Sequence, residues 1–177
     1  DAIRPAAPDV QAVRKVDARG GILARSFVEP HCHPDKTLTY ERAMAMGVED
    51  PYERQVTLKR AFTVEDVEER ATRLFEGFLQ NGVGLLRGQV DIDSATRLIS
   101  FEGVLRARER FEGLIDIQVT AFPQEGVIRD PEARDFLVEA LEMGADCVGG
   151  WPNYEENDED RLRQLDVAFG GDPLAFL

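Results

Sequence analysis

At 177 residues, with 43% hydrophobic and 31% charged residues, the chain is long enough to bury one sizeable core and carries no low-complexity tract, so it reads as a single folded unit. Its 34 acidic against 21 basic residues give a formal net charge of −13, a field that repels phosphate backbones and anionic lipid, which argues against nucleic acid or a membrane surface as partner. No apolar run approaches the roughly 20 residues a bilayer span needs, no secretory leader opens the chain, and Cys32 and Cys147 are too few for a disulfide framework, so a reducing, cytoplasmic setting is expected.

Residues 1–20, with Pro5 and Pro8, show no sustained period and are expected to be an irregular N-terminal segment ahead of one domain over 21–177. From Gly21 the run Ile22–Glu29 is apolar and partly β-branched until Pro30, which predicts a buried strand ending near His31. Residues 35–62, with Gly47, Pro51 and scattered charge, read as a long loop holding one short helix.

Thr63 then supplies an N-cap, Glu65 and Asp66 suit the first helical turn, and Val64, Val67, Ala71, Leu74, Phe75 and Phe78 form one apolar stripe that stops at Asn81-Gly82. The alternation continues with a strand over 84–91, a helix over 94–111 capped by Asp93 or Ser94, a strand over 114–121, a helix over 131–143, a strand over 145–149 and a helix over 157–168. Alternating strands and helices of this length predict a parallel α/β sheet with four βα units, which is half of an eight-stranded barrel. A small open doubly wound sheet has the same periodicity, although no Gly-x-Gly-x-x-Gly follows the first strand.

His31-Cys32-His33 holds both histidines of the chain. In an extended segment alternate side chains share a face, so His31 and His33 point together and Cys32 points away, into the layer between sheet and helices, where a thiol is structural and inert. Two neutral imidazoles on one face suit Zn²⁺ or Fe²⁺, which accepts nitrogen at about 2.0–2.1 Å, but a catalytic metal requires roughly three protein ligands and an open position. The bland alternative is a chance surface pair. At the end of the second strand Asp93 reads as a helix cap, with Asp91 placed to support a site, and Trp151 either stacks on a planar ring or packs under its loop.

Phe27-Val28-Glu29-Pro30-His31-Cys32-His33-Pro34-Asp35-Lys36-Thr37 resembles the first-strand signature of cytosine deaminase-like amidohydrolases. The likeness continues through Thr63–Val67, Val90–Asp93, Ile115–Val119, Ala121-Phe122-Pro123-Gln124-Glu125-Gly126 and Gly144–Gly150, in order over about residues 18–168. Of these, the Ala-Phe-Pro-Gln-Glu-Gly segment after a strand is far more specific than His-x-His. The resemblance implies a (β/α)₈ TIM barrel with its site at the C-terminal face, one divalent metal ion, Zn²⁺ or Fe²⁺, and hydrolysis of a small cyclic amidine or amide such as cytosine by a metal-activated water. It further implies His31 and His33 as metal ligands, Gln124 as the carboxamide that hydrogen-bonds the substrate ring, and Phe122 as a pocket-lining aromatic. Gln124 is read as offering the ring both a donor and an acceptor.

The resemblance also implies partners that these residues lack: no histidine follows His33, and the family's remaining histidines, catalytic glutamate and late aspartate would fall beyond Leu177, so no catalytic acid or base is identified here. A chain that opens at Asp1 and stops shortly after Gly170-Gly171-Asp172-Pro173 is expected to be incomplete, and a half barrel with two unpaired edges is expected to meet its other half or another copy. Gln89 stands where the family has histidine, and Pro34 where it has an apolar residue, which leaves substrate identity open. Two other readings stay open: a TatD-type metal-dependent deoxyribonuclease, whose opening also pairs His-x-His with a following Asp, and an inactive half barrel serving as an interaction module.

Overall fold

Four strands form one parallel sheet in the order β1-β2-β3-β4: Phe27–Cys32, Val83–Asp91, Asp116–Phe122 and Cys147–Val148. This is a computed structural model, and it describes residues 13, 14 and 16–170; most of the irregular segment expected over 1–20 lies outside the described residues. Each strand pairs with the next in sequence, whereas a doubly wound sheet reverses its order at a switch point. The sheet is therefore half of a (β/α)₈ barrel, as the alternation of elements predicts. No helix among the described residues is long and apolar enough to cross a membrane.

The helices are α1 (Tyr40–Ala45), α2 (Pro51–Lys59), α3 (Val64–Gln80), α4 (Ile99–Glu109), α5 (Glu132–Glu142) and α6 (Asp158–Ala168). α3 begins where its sequence demands, with the Thr63 hydroxyl accepting from the Asp66 N–H at 3.2 Å, and ends on Asn81 with Gly82 at φ +79°. Its buried stripe of Val67, Ala71 and Phe75 packs with Phe101 and Val104 of α4 and with Leu86 and Val90 of β2 in one core. Phe75 meets Phe111 edge-to-face with centroids 5.7 Å apart. α3 approaches α4 so closely that a Cβ on Gly103 would lie 2.7 Å from both the Val64 carbonyl oxygen and Val67 Cβ.

Three expectations need correction. The stretch 35–62 is not a loop with one short helix, because Asp50 accepts from the Glu53 N–H at 2.8 Å and Pro51 fills the first turn of α2, a second helix after α1. The buried strand expected from residue 22 to near His31 ends as expected at Cys32 but starts only at Phe27 and is mostly exposed, because residues 22–26 are exposed and unpaired and the ladder to β2 starts at Phe27 opposite Val83. α4 also begins later than its expected Asp93 cap, at Ile99. Asp93 Oδ1 instead accepts from the N–H groups of Ala95 and Thr96 and from the Thr96 hydroxyl, closing a turn ahead of the helix.

Candidate active site

The C-terminal end of β1 and the turn after it deliver His31, Cys32, His33, Asp35 and Lys36 to one end of the sheet. The two imidazoles converge as alternation requires, with ring centroids 5.2 Å apart and planes at 74°. His31 is exposed. His33 is half-buried and stands edge-on to Phe122 at 5.8 Å. Its Nδ1 is buried and has no hydrogen-bond partner, a state that costs free energy unless a ligand takes the lone pair or the proton. Burial, and then the Lys36 ammonium, lower the His33 pKa to about 4, so the ring is neutral at neutral pH and one nitrogen keeps its lone pair.

Cys32 packs against the core, with its Sγ 3.7 Å from the Arg87 carbonyl oxygen, and burial followed by the carboxylates of Glu29 and Asp35 pushes its pKa up to about 12. It is a thiol, in keeping with the structural role its position predicts.

Beneath the histidines lies a buried lattice of charges. Asp35 Oδ2 accepts from the Asp91 N–H at 3.2 Å, while its Oδ1 is buried without a partner. Burial, and then the nearby Asp91 carboxylate, push the Asp35 pKa up to about 7. Asp91 is held by two ammonium groups, Lys36 at 2.7 Å on Oδ1 and Lys59 at 3.1 Å on Oδ2. Burial alone would raise the Asp91 carboxyl, but these two lysines override it and hold it below its ordinary range.

Lys59, fully buried at the end of α2, also reaches Asp93 at 2.5 Å and Glu125 at 2.8 Å. Burial would lower its pKa, yet Asp91, Asp93 and Glu125 together raise it well above an ordinary lysine. This residue carries no signal in the sequence. The demand for it does: Asp91 and Asp93 share a face at a strand end beside Glu125, and three buried carboxylates need a cation.

His33, Asp35 and Asp91 bring ligand-type atoms within 4.8 Å of one another. Both Asp91 oxygens already accept from lysines, however, so the atoms with unclaimed lone pairs are the two imidazoles and Asp35 Oδ1. The donor set fits a borderline divalent cation on two nitrogens, with oxygen close by, and remains short of the three ligands that a catalytic ion requires.

Gln124 turns back on β3, its N–H bonded to the Phe122 carbonyl at 2.8 Å, and its Oε1 accepts from Lys36 Nζ at 2.6 Å. Of the donor and acceptor expected of this amide, the oxygen is thus turned to Lys36, and the nitrogen makes no hydrogen bond among the described residues. Gln124, His33, Lys36, Leu58, Tyr40 and Trp151 line an open cavity of about 620 Å³. Trp151 is 40% exposed there and leans on Tyr154 at 4.6 Å. Phe122 is not a wall of this cavity but a support, because it packs on His33 and its ring would clash with a Cβ on Gly149. Gln89 is buried nearby, in contact range of that same Gly149 position.

No protein-family model matches the chain. It is 33% identical over 164 residues to N-isopropylammelide isopropyl amidohydrolase of Pseudomonas sp. (strain ADP), a match covering 88% of the chain and 40% of that enzyme. The crystal structure of 5-methylcytosine deaminase from Klebsiella pneumoniae, liganded with 5-fluorocytosine, superposes with a TM-score of 0.77 at 33% identity over 93% of the chain and 40% of that protein. The chain belongs to the amidohydrolase superfamily. A pterin deaminase of Rhizobium rhizogenes is a more distant relative, 26% identical over 92% of the chain and 38% of its own length. The chain spans about 40% of the length of the curated relatives it matches. This amidohydrolase segment holds the four-stranded half barrel and the His31–His33 end of the site.

Proposed function

We propose that the polypeptide carrying this chain hydrolyses a C–N bond of a small nitrogen heterocycle, most specifically the exocyclic amine of cytosine or a related ring, using one divalent ion, Zn²⁺ or Fe²⁺, held by His31 and His33. The observation that carries the reading is the buried, unpartnered Nδ1 of His33, in a ring held neutral and 5.2 Å from that of His31 at the wall of the cavity. When bound, such an ion supplies a water acidic enough to be hydroxide near neutral pH. The amidohydrolase relatives are named for acting on nitrogen heterocycles, and the cavity mixes apolar side chains such as Leu58 and Trp151 with polar ones such as Gln124.

On this reading each residue has a distinct task. His33 and His31 present nitrogen lone pairs from one strand face, and Phe122 and the buried lattice below keep the His33 ring in place. Gln124 presents its amide to the heterocycle, and Trp151 offers a half-exposed indole for stacking on the ring. Substrate and water are the small-molecule partners. The exposed residues of edge strand β1 require cover, from the remainder of a barrel or from a second copy.

The test is ammonia release by the polypeptide as its gene encodes it, loaded with Zn²⁺ or Fe²⁺, from cytosine, isocytosine, creatinine and aminotriazines. Release from at least one compound, abolished by His33→Ala, supports the reading. No release from any of them, with metal bound, overturns it.

A further inference from the structure

Lys36 is the hinge between the charge lattice and the cavity. Its ammonium donates to Asp91 Oδ1 at 2.7 Å and to Gln124 Oε1 at 2.6 Å, and Asp91 is itself fixed from the far side by Lys59 at 3.1 Å. Asp91 and Lys59 side chains have no exposure and that of Lys36 has 15%, so the three form a row with little freedom to move. An amide oxygen and nitrogen are ordinarily interchangeable by rotation about the last torsion. Here they are not. An ammonium has only donors, so the group facing Lys36 must be the amide oxygen, and turning the amide over would set N–H against N–H inside a buried network.

The amide nitrogen of Gln124 makes no hydrogen bond among the described residues and belongs to a side chain that lines the cavity. We infer that Lys36 is a positioning residue that fixes the polarity of Gln124, so that the cavity presents an N–H donor alone and selects a ring whose facing group is an acceptor, a carbonyl oxygen or an unprotonated nitrogen, over one with an amine there. This rests on the reading of the cavity as a heterocycle site and adds to it the hydrogen-bond sense of one edge. Without the clamp, the same glutamine would adapt to either edge by turning over, and the site would lose discrimination rather than binding.

The experiment compares binding of two neutral rings of equal size, pyrimidin-2-one with an exocyclic acceptor and aniline, whose only polar group is a donor amine, by calorimetry on the metal-loaded polypeptide as encoded. The wild type is expected to prefer pyrimidin-2-one by about tenfold or more, since a site that cannot satisfy a buried polar group rejects it strongly. Lys36→Met is expected to bring the two within about threefold, Lys36→Arg to retain the preference, and Gln124→Glu, whose carboxylate would pair with Lys36 and offer only oxygen, to invert it. Inversion is an outcome that a merely structural role does not produce, and it keeps the test open should Lys36→Met fail to fold. A preference that persists in folded Lys36→Met, or that fails to invert in Gln124→Glu, overturns the role of Lys36 while leaving a heterocycle site standing. Binding of neither ring to the wild type overturns the heterocycle reading itself, and the inference with it.

Discussion

Replacing Lys59 by methionine keeps most of the aliphatic stem and deletes the ammonium that three buried carboxylates share. The loss is less than three separate ion pairs, because two of the partners keep other support. Asp91 retains Lys36 at 2.7 Å, and Asp93 retains the N–H groups of Ala95 and Thr96 at 2.9 and 2.8 Å. Glu125 is the one whose Oε2 is already unpartnered and whose Oε1 bond to Lys59 disappears. The expected cost is therefore that of breaking one buried pair, about 3–5 kcal/mol. With a urea slope of about 2 kcal/mol per molar, the unfolding midpoint falls by roughly 2 M at pH 7.

The pH dependence has a definite sign. Asp91 is held low in the native protein, so its share of the stability is fully present above the unfolded-state value of about 3.9 and is lost as pH falls through the lower native value. The gap between wild type and Lys59→Met should be widest near pH 8, narrow as pH falls through about 7, where Asp35, whose carboxyl Lys59 helps to hold down, protonates more readily in the variant, and narrow again below about pH 4. Urea titrations followed by circular dichroism measure both quantities. A midpoint shift under about 0.5 M at pH 7 would refute the view that the lattice holds this end of the sheet together.

Gly103→Ala forces a Cβ to within 2.7 Å of the Val64 carbonyl and Val67 Cβ, so α3 and α4 must separate, and a loss of about 1–3 kcal/mol in the same titrations is expected; an unchanged midpoint would contradict it. Cys32, with its pKa at about 12, is only about one part in ten thousand thiolate at pH 8, so native protein treated with iodoacetamide should show no Cys32 adduct by peptide mass spectrometry on a timescale that modifies an ordinary cysteine. Rapid native labelling of Cys32 would show that the thiol is not held as described.

Elements were legible wherever local chemistry defines them. The Thr63 cap, the stripe from Val64 to Phe78 and the Asn81-Gly82 stop give α3 almost residue for residue, and the order of elements gives the half barrel. Boundaries failed where a distant partner overrides the local signal. Asp93 looks like a helix cap, yet one oxygen closes a turn and the other meets Lys59, 34 residues earlier. Residues 22–26 have strand composition but no neighbour to pair with, because the β2 ladder begins at Phe27.

The site divides in the same way. His31 and His33 follow from a period of two within one strand, and the Ala121–Gly126 segment places Gln124 after another. That Gln124 is tied by its oxygen could not be read, since it depends on Lys36 lying 88 residues away in sequence and beside it in space. The charge lattice was hidden for the same reason: each member is an ordinary charged residue until the fold removes it from water.

The account turns on a metal held by His31 and His33, and the most direct measurement is the metal content of the purified polypeptide, as encoded, by plasma mass spectrometry after dialysis against excess Zn²⁺ and removal of the unbound ion. About one equivalent is expected to remain in the wild type and well under a tenth of that in a His31→Ala/His33→Ala variant of unchanged circular dichroism. Equal zinc in the two proteins, or none in the wild type, would contradict it.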